Sequence, residues 1–289
     1  MSAEPPASAL AVHLRPTAER DLPAVAELSA QAFGQQRSPE LDRWRRRRLA
    51  HPLATDPGGA FLAECDGAVI GAVQAIRRER LWCLSQLVVR PSVQSAGAGR
   101  RLLERALSYG ADAGAGLIPS SNDPRALRLY ALAGFELRPS LETVGELDRS
   151  SLPHADPRIR EAGTADLEAL AEISRAIRGA AHTSELELAL ELGAQLIRLA
   201  DRGFAVATPE HGVWLLVARD EEAASSLLWS ALALSGGTGH PLVRWITGAQ
   251  RWAVEVLLRA RLQLVARGAL CVRGEPGPLH PFLPSGPFA

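Results

Sequence analysis

The sequence predicts a protein of the α/β (α+β) class that is built from two tandem copies of one domain. Three observations support this fold class. Strand and helix patterns alternate through the first half, a stretch of that half recurs further along the chain, and one predicted strand runs through a glycine-spaced loop into a helix. With 289 residues, of which 47% are hydrophobic, the chain is long enough for two domains that each bury a core.

The repeat is visible without gaps. Residues Leu14 to Ser29 align with Ile159 to Ser174 at a constant offset of 145. Each copy reads as a short strand followed by an amphipathic helix, with Asp21 or Asp166 at the helix start, where a carboxylate is favoured. A period this long is typical of a duplicated domain and far exceeds that of a solenoid.

A polar stretch with two prolines, Asp148 to Pro157, separates the copies. Such a composition is typical of a linker, because it offers little apolar surface to bury. We therefore expect a first domain at 1–150, a linker at 151–157 and a second domain at 158–289.

The first copy has a coherent order of elements. A strand and a helix are followed by an arginine-rich helix, two strands joined by an Asp-Gly turn, a fourth strand, a third helix, a short strand, a fourth helix and a last strand. Pro124 suits the first turn of the fourth helix and Gly134 suits its exit. After the first strand and helix, the predicted bounds are 39–53, 60–64, 68–77, 84–89, 100–113, 116–119, 124–133 and 135–139.

The loop after the strand at 84–89 is the most informative segment. Residues 94–100 read QSAGAGR and lead directly into the third helix. Unpaired amides and the positive dipole end of such a helix start suit a pyrophosphate, and Gly97 and Gly99 would let phosphate oxygens approach. No Lys-Ser or Lys-Thr follows, which excludes a nucleoside-triphosphate loop, and the third glycine of a dinucleotide fingerprint is missing. A plain glycine-rich turn is the alternative.

A second motif closes the first copy. Residues 123–135 read DPRALRLYALAGF, which places Tyr130 on a helix. Together, the two motifs resemble the GNAT family of N-acetyltransferases, whose loop reads Arg or Gln, two residues, Gly, one residue, Gly or Ala, and whose closing segment reads Asn-x-x-Ala-x-x-x-Tyr-x-x-x-Gly-Phe. The resemblance covers residues 12–147. Asp123 stands where the family has asparagine, with Asn122 adjacent, so a helix cap or a cofactor contact there is an open point.

The resemblance implies two tandem GNAT-like domains, each with a mixed, mostly antiparallel sheet flanked by helices, and acetyl-CoA as co-substrate. It assigns Tyr130 as the acid that protonates the leaving thiolate; a phenol with a pKa of about 10 is protonated at neutral pH. Simple packing on the sheet is the alternative for this side chain. The resemblance also places the pantetheine arm along the fourth strand, the thioester oxygen on the Val88 amide and the pyrophosphate on the loop. The implied cofactor-binding residues are Leu87, Val88, Val89, Gln94, Ser95, Ala96, Gly97, Ala98, Gly99, Arg100 and Asn122.

The general base is not identified by the sequence. Many family members place a glutamate on the fourth strand, which carries no carboxylate here. Glu79, His51 and Glu142 could act through a water, and each is otherwise a solvated surface residue. A further hypothesis is that the apolar segment 281–289 docks on the N-terminal domain and brings a carboxylate with it.

The second copy lacks the phosphate loop. Its predicted fourth strand, 213–218, is followed by Asp220 and two glutamates at the next helix start, where three carboxylates would repel a diphosphate. Leu257 stands at the position that matches Tyr130. This half resembles the degenerate domains of tandem acetyltransferases, which implies a folding partner, an acceptor-site wall or an interaction surface.

Composition bounds the remaining classes. The formal net charge is zero, so nucleic acid and anionic membranes are not expected partners, and the basic run at 43–48 is interpreted as a solvated helix face. Because the first two helices border the acceptor site in the family that the chain resembles, the resemblance implies an alternative for this run, an entrance that favours anionic or carboxylate-bearing amines. Three cysteines without metal-ligand spacing indicate core residues or free thiols in a reducing cytoplasm and no metal. No run is apolar enough for a membrane span, and the start is no signal peptide. Absent lysine and abundant arginine are typical of a GC-rich bacterial genome.

We therefore expect a cytoplasmic, acetyl-CoA-dependent N-acyltransferase that transfers the acetyl group to a primary amine by direct attack in a ternary complex. The acceptor is a small-molecule or peptide amine that the sequence does not specify. The alternative is a non-catalytic acyl-CoA-binding or regulatory protein, since the loop is present and a base is not evident. A homodimer is compatible with the sequence without being required by it.

Overall fold

The structure is a computed structural model that describes residues 12–34, 39–93, 97–208, 212–235 and 240–289, without the side chains of 39–41. The chain forms two compact units. Unit one holds the described residues up to Ile76 together with Ser85–Ala111, and unit two holds Arg77–Leu84 and Asp112–Ala289.

The two units do not coincide with the two sequence copies, because unit two takes the end of the first copy as well as the second. The domain bounds at 1–150, 151–157 and 158–289 rest on the repeat and stay a prediction.

Unit one is an antiparallel sheet with helices on both faces. The sheet pairs Leu14 with Ala63 and Leu62 with Ala72. The elements of this part of the chain are β1 His13–Pro16, α1 Leu22–Ala32, α2 Pro39–Thr55, β2 Ala60–Cys65, β3 Ala68–Arg78, β4 Leu81–Val89 and α3 Ala98–Tyr109. The last two residues of β3 and the first half of β4 belong to unit two.

Alternation along β2 separates the helices of unit one. Leu62 is fully buried in a core with residues of α1 and α2. The preceding residue, Phe61, faces the other side, where the Arg105 guanidinium of α3 lies 4.6 Å from its ring centre. Helices α1 and α2 therefore cover one face of the sheet and α3 covers the other. The core between the sheet and the first two helices is Leu22, Val25, Leu28, Leu49, Leu62, Ala72 and Val88.

Unit two contains two sheets. The first runs from the start of β4 through β5, β12 and β6 to β11, and the second has the order β13, β10, β9, β8, β7. Its elements are β5 Ala115–Pro119, α4 Pro124–Leu132, β6 Glu136–Val144, β7 Ile159–Glu161, α5 Leu167–Arg178, α6 Thr183–Glu191, β8 Gln195–Leu199, β9 Gly203–Thr208, β10 Gly212–Ala218, α7 Glu221–Leu234, β11 Ile246–Thr247, α8 Arg251–Arg259, β12 Gln263–Gly274 and β13 Phe282–Leu283.

Strand β12 of the second copy lies between two strands of the first. It pairs antiparallel with β5, where Val272 faces Leu117, and with β6, where Leu270 faces Arg138. This placement explains why β6 extends to Val144, five residues beyond its predicted end, since it has a partner along its whole length. The element order predicted for the first copy is confirmed, and so is the mixed α+β fold class.

Candidate functional site

The glycine loop lies in unit one, where β4 leads into α3. Gln94, Ser95 and Ala96 fall outside the described residues. Gly97 is the N-cap of α3, and its carbonyl accepts the first helical hydrogen bond, from the Arg101 amide at 3.1 Å. The amides of the following first turn, at residues 98–100, have no preceding helical carbonyl to bond, which is the feature that attracts anions to helix starts.

Glycine is suited to positions 97 and 99 for different structural reasons. Gly97 has a φ of +76°, a left-handed conformation that side chains disfavour, and an added Cβ would meet no atom within 4 Å. An added Cβ on Gly99 would lie 3.5 Å from a Val89 methyl, which is an ordinary contact. The backbone therefore favours glycine at 97, whereas glycine at 99 leaves the first turn of α3 uncovered.

The end of β4 is anchored in the sheet. The Val88 side chain is 3% exposed and packs in the core beneath α1 and α2. Just beyond, the Arg90 amide donates to the Ile70 carbonyl at 2.8 Å and its guanidinium donates to the Val69 carbonyl at 2.8 Å. Leu87 and Val89 are partly buried on either side of Val88. Their contact with a pantetheine arm stays a prediction.

The α2 face of the sheet carries buried polar side chains that the sequence interpretation did not treat as a site. Arg48 Nη2 donates to Gln86 Oε1 at 2.8 Å, and Gln74 Nε2 donates to the Leu49 carbonyl at 2.8 Å. Gln86 and Gln74 are 5% and 1% exposed. A signal was available in the sequence, because each of two neighbouring apolar strands contains one glutamine.

Tyr130 lies in unit two on α4. That helix begins as predicted, with Pro124 in its first turn, and the Asp123 side chain caps it by accepting from the Arg125 amide at 2.9 Å. Tyr130 is 5% exposed, and burial raises the pKa of its phenol, with smaller contributions from Cys271 and Asp123. The hydroxyl is therefore protonated at neutral pH, which is the state that a proton donor needs. Its catalytic role stays a prediction.

Asn122 has structural partners at both ends of its side-chain amide. Its Oδ1 accepts from the Gly268 amide of β12, and its Nδ2 donates to the Ala266 carbonyl at 3.2 Å. These bonds hold the irregularity in the β12 to β6 register between Ala266 and Ala269. A contact between Asn122 and a cofactor stays a prediction, and it would compete with these bonds.

Two of the three base candidates, both in unit two, already have cationic partners. Glu79 Oε1 accepts from Arg175 Nε at 2.8 Å. The Glu142 carboxylate lies 3.5 Å from Arg244 Nε and 3.5 Å from Arg267 Nε. His51 lies on α2 in unit one, partly buried. Both glutamates are therefore already engaged in ion pairs within unit two.

The segment 281–289 is packed into unit two. Phe288 is fully buried and its ring lies edge-on to Trp214, with 5.5 Å between the ring centres. The buried Arg178 guanidinium donates to the Phe288 carbonyl at 2.9 Å and to the Ala289 carbonyl. The Cys83 thiol lies 3.7 Å from the Ala289 carbonyl oxygen. The segment thus docks on residues of both sequence copies, and its service as a base stays a prediction.

The helix start in the second copy is occupied by its own side chains. Asp220 caps α7 by accepting from the Ala223 amide at 2.9 Å, and Arg202 pairs with Asp220 at 2.6 Å and with Glu222 at 3.0 Å. Leu257, at the position that matches Tyr130, is fully buried in the core of the second sheet. A carboxylate thus takes the amides that a phosphate would need.

The described residues contain no group of three or more His, Cys, Asp or Glu side chains that could hold a metal ion. None of the helices in the described ranges combines the length and the apolar content that a bilayer crossing requires.

Comparison with known proteins agrees with these features. A model of the Acetyltransferase (GNAT) family matches residues 22–135. A candidate acetyltransferase from Pyrococcus horikoshii has a similar structure, with a TM-score of 0.80 at 17% identity over 96% of this chain and 95% of that chain. The GCN5-related N-acetyltransferase from Sphaerobacter thermophilus has a TM-score of 0.58 at 20% sequence identity, over 92% of this chain and 96% of that chain. A tandem GNAT protein from the clavulanic acid biosynthesis pathway has a TM-score of 0.59 at 15% sequence identity, over 91% of this chain and 98% of that chain. No curated protein matches the chain significantly. At these identities, the structures establish the fold alone.

Proposed function

We propose that this chain, whose residues 22–135 match a model of the Acetyltransferase (GNAT) family, transfers the acetyl group of acetyl-CoA to a primary amine. The observation that carries the proposal is the start of α3, where the left-handed Gly97 caps the helix and Gly99 places no side chain over the first-turn amides. In this proposal, those amides hold the pyrophosphate, with residues 94–96 completing the loop. We place the reaction in the cytoplasm.

The proposed reaction is a direct displacement. The neutral amine nitrogen attacks the thioester carbonyl carbon, the N–C bond forms, and the C–S bond breaks to release the thiolate. The Tyr130 hydroxyl gives its proton to the thiolate, and the proton lost by the amine returns to Tyr130 through solvent. Most of the acceleration then comes from positioning the two substrates and from the Val88 amide, which donates to the developing oxyanion.

One observation favours a second function. Strand β4 carries Gln86 in place of a carboxylate, and Gln86 is engaged by Arg48 at 2.8 Å. A protein that only binds acyl-CoA and responds to it needs a loop but no base. Release of free thiol from acetyl-CoA in the presence of an amine distinguishes the enzyme from the binder.

The first test is a calorimetric titration of acetyl-CoA into the wild type, Gly97→Glu and Gly67→Glu. The control is matched, because Gly67 also has a φ of +76° and an added Cβ there also meets no atom within 4 Å. We expect one-site micromolar binding that is lost in Gly97→Glu and kept in Gly67→Glu. One site per chain is expected because Asp220 already caps α7. A wild type that binds no acetyl-CoA would overturn the proposal.

A further inference from the structure

Arg48 on α2 has an unusual environment within unit one. Its guanidinium is partly buried, and burial lowers its pKa to about 10, with a smaller contribution from neighbouring Arg45. Across the described ranges, its hydrogen-bond partner is the neutral side chain of Gln86, and no carboxylate pairs with it. Arg45, on the same helix, has Asp42 at 3.2 Å. A partly buried cation without a counter-charge is less stable than a paired one, so an anion supplied from outside would be stabilised here.

The orientations of two buried amides follow from their partners. An arginine only donates, so the Gln86 oxygen must face Arg48 and its Nε2 must point elsewhere. A carbonyl only accepts, so Gln74 Nε2 must face the Leu49 carbonyl and its Oε1 must point elsewhere. Both remaining atoms, Gln86 Nε2 and Gln74 Oε1, are buried and without a hydrogen-bond partner among the described residues. Buried polar groups in this state are uncommon in proteins.

The three side chains share one face of the sheet. Arg48 and Leu49 are consecutive on α2, and they contact β4 through Gln86 and β3 through Gln74. The site therefore offers a guanidinium and an amide N–H as donors, and one amide oxygen as an acceptor. Two donors match the two oxygens of a carboxylate, and the acceptor matches an amine N–H.

We propose that Arg48, Gln86 and Gln74 form the recognition site for a carboxylate-bearing amine of the amino-acid class. The ligand carboxylate accepts from Arg48 and from Gln86 Nε2, and its amine donates one N–H to Gln74 Oε1. A neutral amine held through an N–H keeps its lone pair free for attack. That this amine is the acetyl acceptor rests on the proposed function; the binding site itself does not.

Thermal unfolding of the full chain tests the binding site directly. The probes are the twenty common free amino acids, the matching amino-acid amides, and inorganic phosphate. We expect at least one amino acid to raise the melting temperature, its amide to give no shift, and the shift to vanish in Arg48→Met. Arg43→Met is the control, because Arg43 is exposed on the same helix. Equal shifts from acid and amide, no shift from any acid, a shift from phosphate alone, or a shift retained in Arg48→Met would each overturn the proposal.

A second variant keeps the binding site testable if Arg48→Met does not fold. Gln86→Glu changes little in size and places a carboxylate against the guanidinium, so the internal pair replaces the ligand. We expect the affinity for the amino acid to fall by roughly ten- to a hundredfold, the range for a lost hydrogen bond to a charged group, with thermal stability retained. Unchanged affinity in a folded Gln86→Glu would contradict the assignment.

Thiol release from acetyl-CoA separates this inference from the proposed function. Turnover of an amino acid at least about tenfold faster, in kcat/KM, than its amide supports both. Equal turnover of acid and amide supports acetyl transfer and overturns the carboxylate site. Amino-acid binding that depends on Arg48, together with no acetyl-CoA binding and no turnover, supports the site and overturns the acetyltransferase.

Discussion

Arg15 donates to both carboxylate oxygens of Asp21, at 2.6 and 2.9 Å, and 145 residues later Arg160 makes the same paired contact with Asp166. In both copies the carboxylate also accepts the amide of the residue three positions before it. Both copies therefore share one structural motif, in which an arginine of the first strand orients the carboxylate at the start of the first helix. Such a bidentate, amide-supported pair is stronger than an ordinary surface ion pair.

Asp21 predicts an acid-dependent loss of stability. Arg15 lowers the pKa of Asp21 to about 2, chiefly through its hydrogen bonds. Because the folded-state pKa lies below the unfolded value of 3.8, the stabilisation is present above pH 4 and is lost as the pH falls toward 2. We expect Asp21→Asn to lower the free energy of unfolding at pH 7 by about 2 kcal/mol and to flatten this dependence. Urea unfolding at pH 2 to 7 measures both, with Glu27→Gln on the exposed face of α1 as the control.

Tyr130→Phe tests the proton donor. The variant keeps the buried ring and removes only the hydroxyl, so we expect acetyl-CoA affinity within about twofold of the wild type and a kcat lower by about a hundredfold. Because burial raises the pKa of Tyr130, the wild-type rate is not expected to decline through ionisation of this group up to pH 10. Stopped-flow measurement of thiol release gives the rate. A kcat unchanged by the substitution would assign Tyr130 to packing.

The surroundings of Gly268 predict that a single added methyl group lowers the free energy of unfolding strongly. Its φ is +46°, and an added Cβ would lie 2.3 Å from the Ser120 carbonyl oxygen and 2.5 Å from that of Ser121. Gly134 also has a positive φ, but its Cβ would meet nothing within 4 Å. We expect Gly268→Ala to lower the free energy of unfolding by about 3 kcal/mol and Gly134→Ala by about 1 kcal/mol. Similar losses in denaturant titrations of the two variants would show that β12 tolerates displacement at this point.

The burial of His182 predicts a second pH dependence of folding stability, closer to neutral pH. The imidazole is fully buried, with Nδ1 3.0 Å from Ser174 Oγ, and burial holds its pKa well below 6.5, aided by Arg178 and Arg78 and opposed by Glu185. The unfolded chain binds a proton below pH 6.5 that the folded chain does not, so stability falls as the pH decreases from 6.5.

The expected slope for His182 is up to about 1.4 kcal/mol per pH unit. His182→Asn, which can still bond Ser174, removes the dependence between pH 6.5 and 5 while leaving the Asp21 window at pH 4 to 2. Calorimetric melting temperatures at pH 5 and 7 make the comparison. A wild type equally stable at both values would mean that the imidazole is protonated in the fold.

Much of the first copy could be predicted because its signals are local. The Asp-Gly turn and the helix start at Pro124 each depend on a few neighbouring residues, and the structure has both where the pattern indicated. The helix after the loop begins at Ala98, two residues earlier than predicted, because Gly97 acts as its cap. The loss of the phosphate loop in the second copy was also readable, since Asp220 acts on the adjacent turn.

The sequence by itself therefore determined the repeat, the order of elements and the phosphate-suited helix start, because turns, caps and amphipathic periods are written in adjacent residues. Only the tertiary structure decided that β12 lies between β5 and β6, that Asn122 holds its bulge, and that Arg48 meets Gln86 without a carboxylate. Arg48 and Gln86 are 38 positions apart, and Asn122 and Gly268 are 146 positions apart. Spacing cannot predict them, because strand order and buried pairing are chosen by the packing of the whole chain.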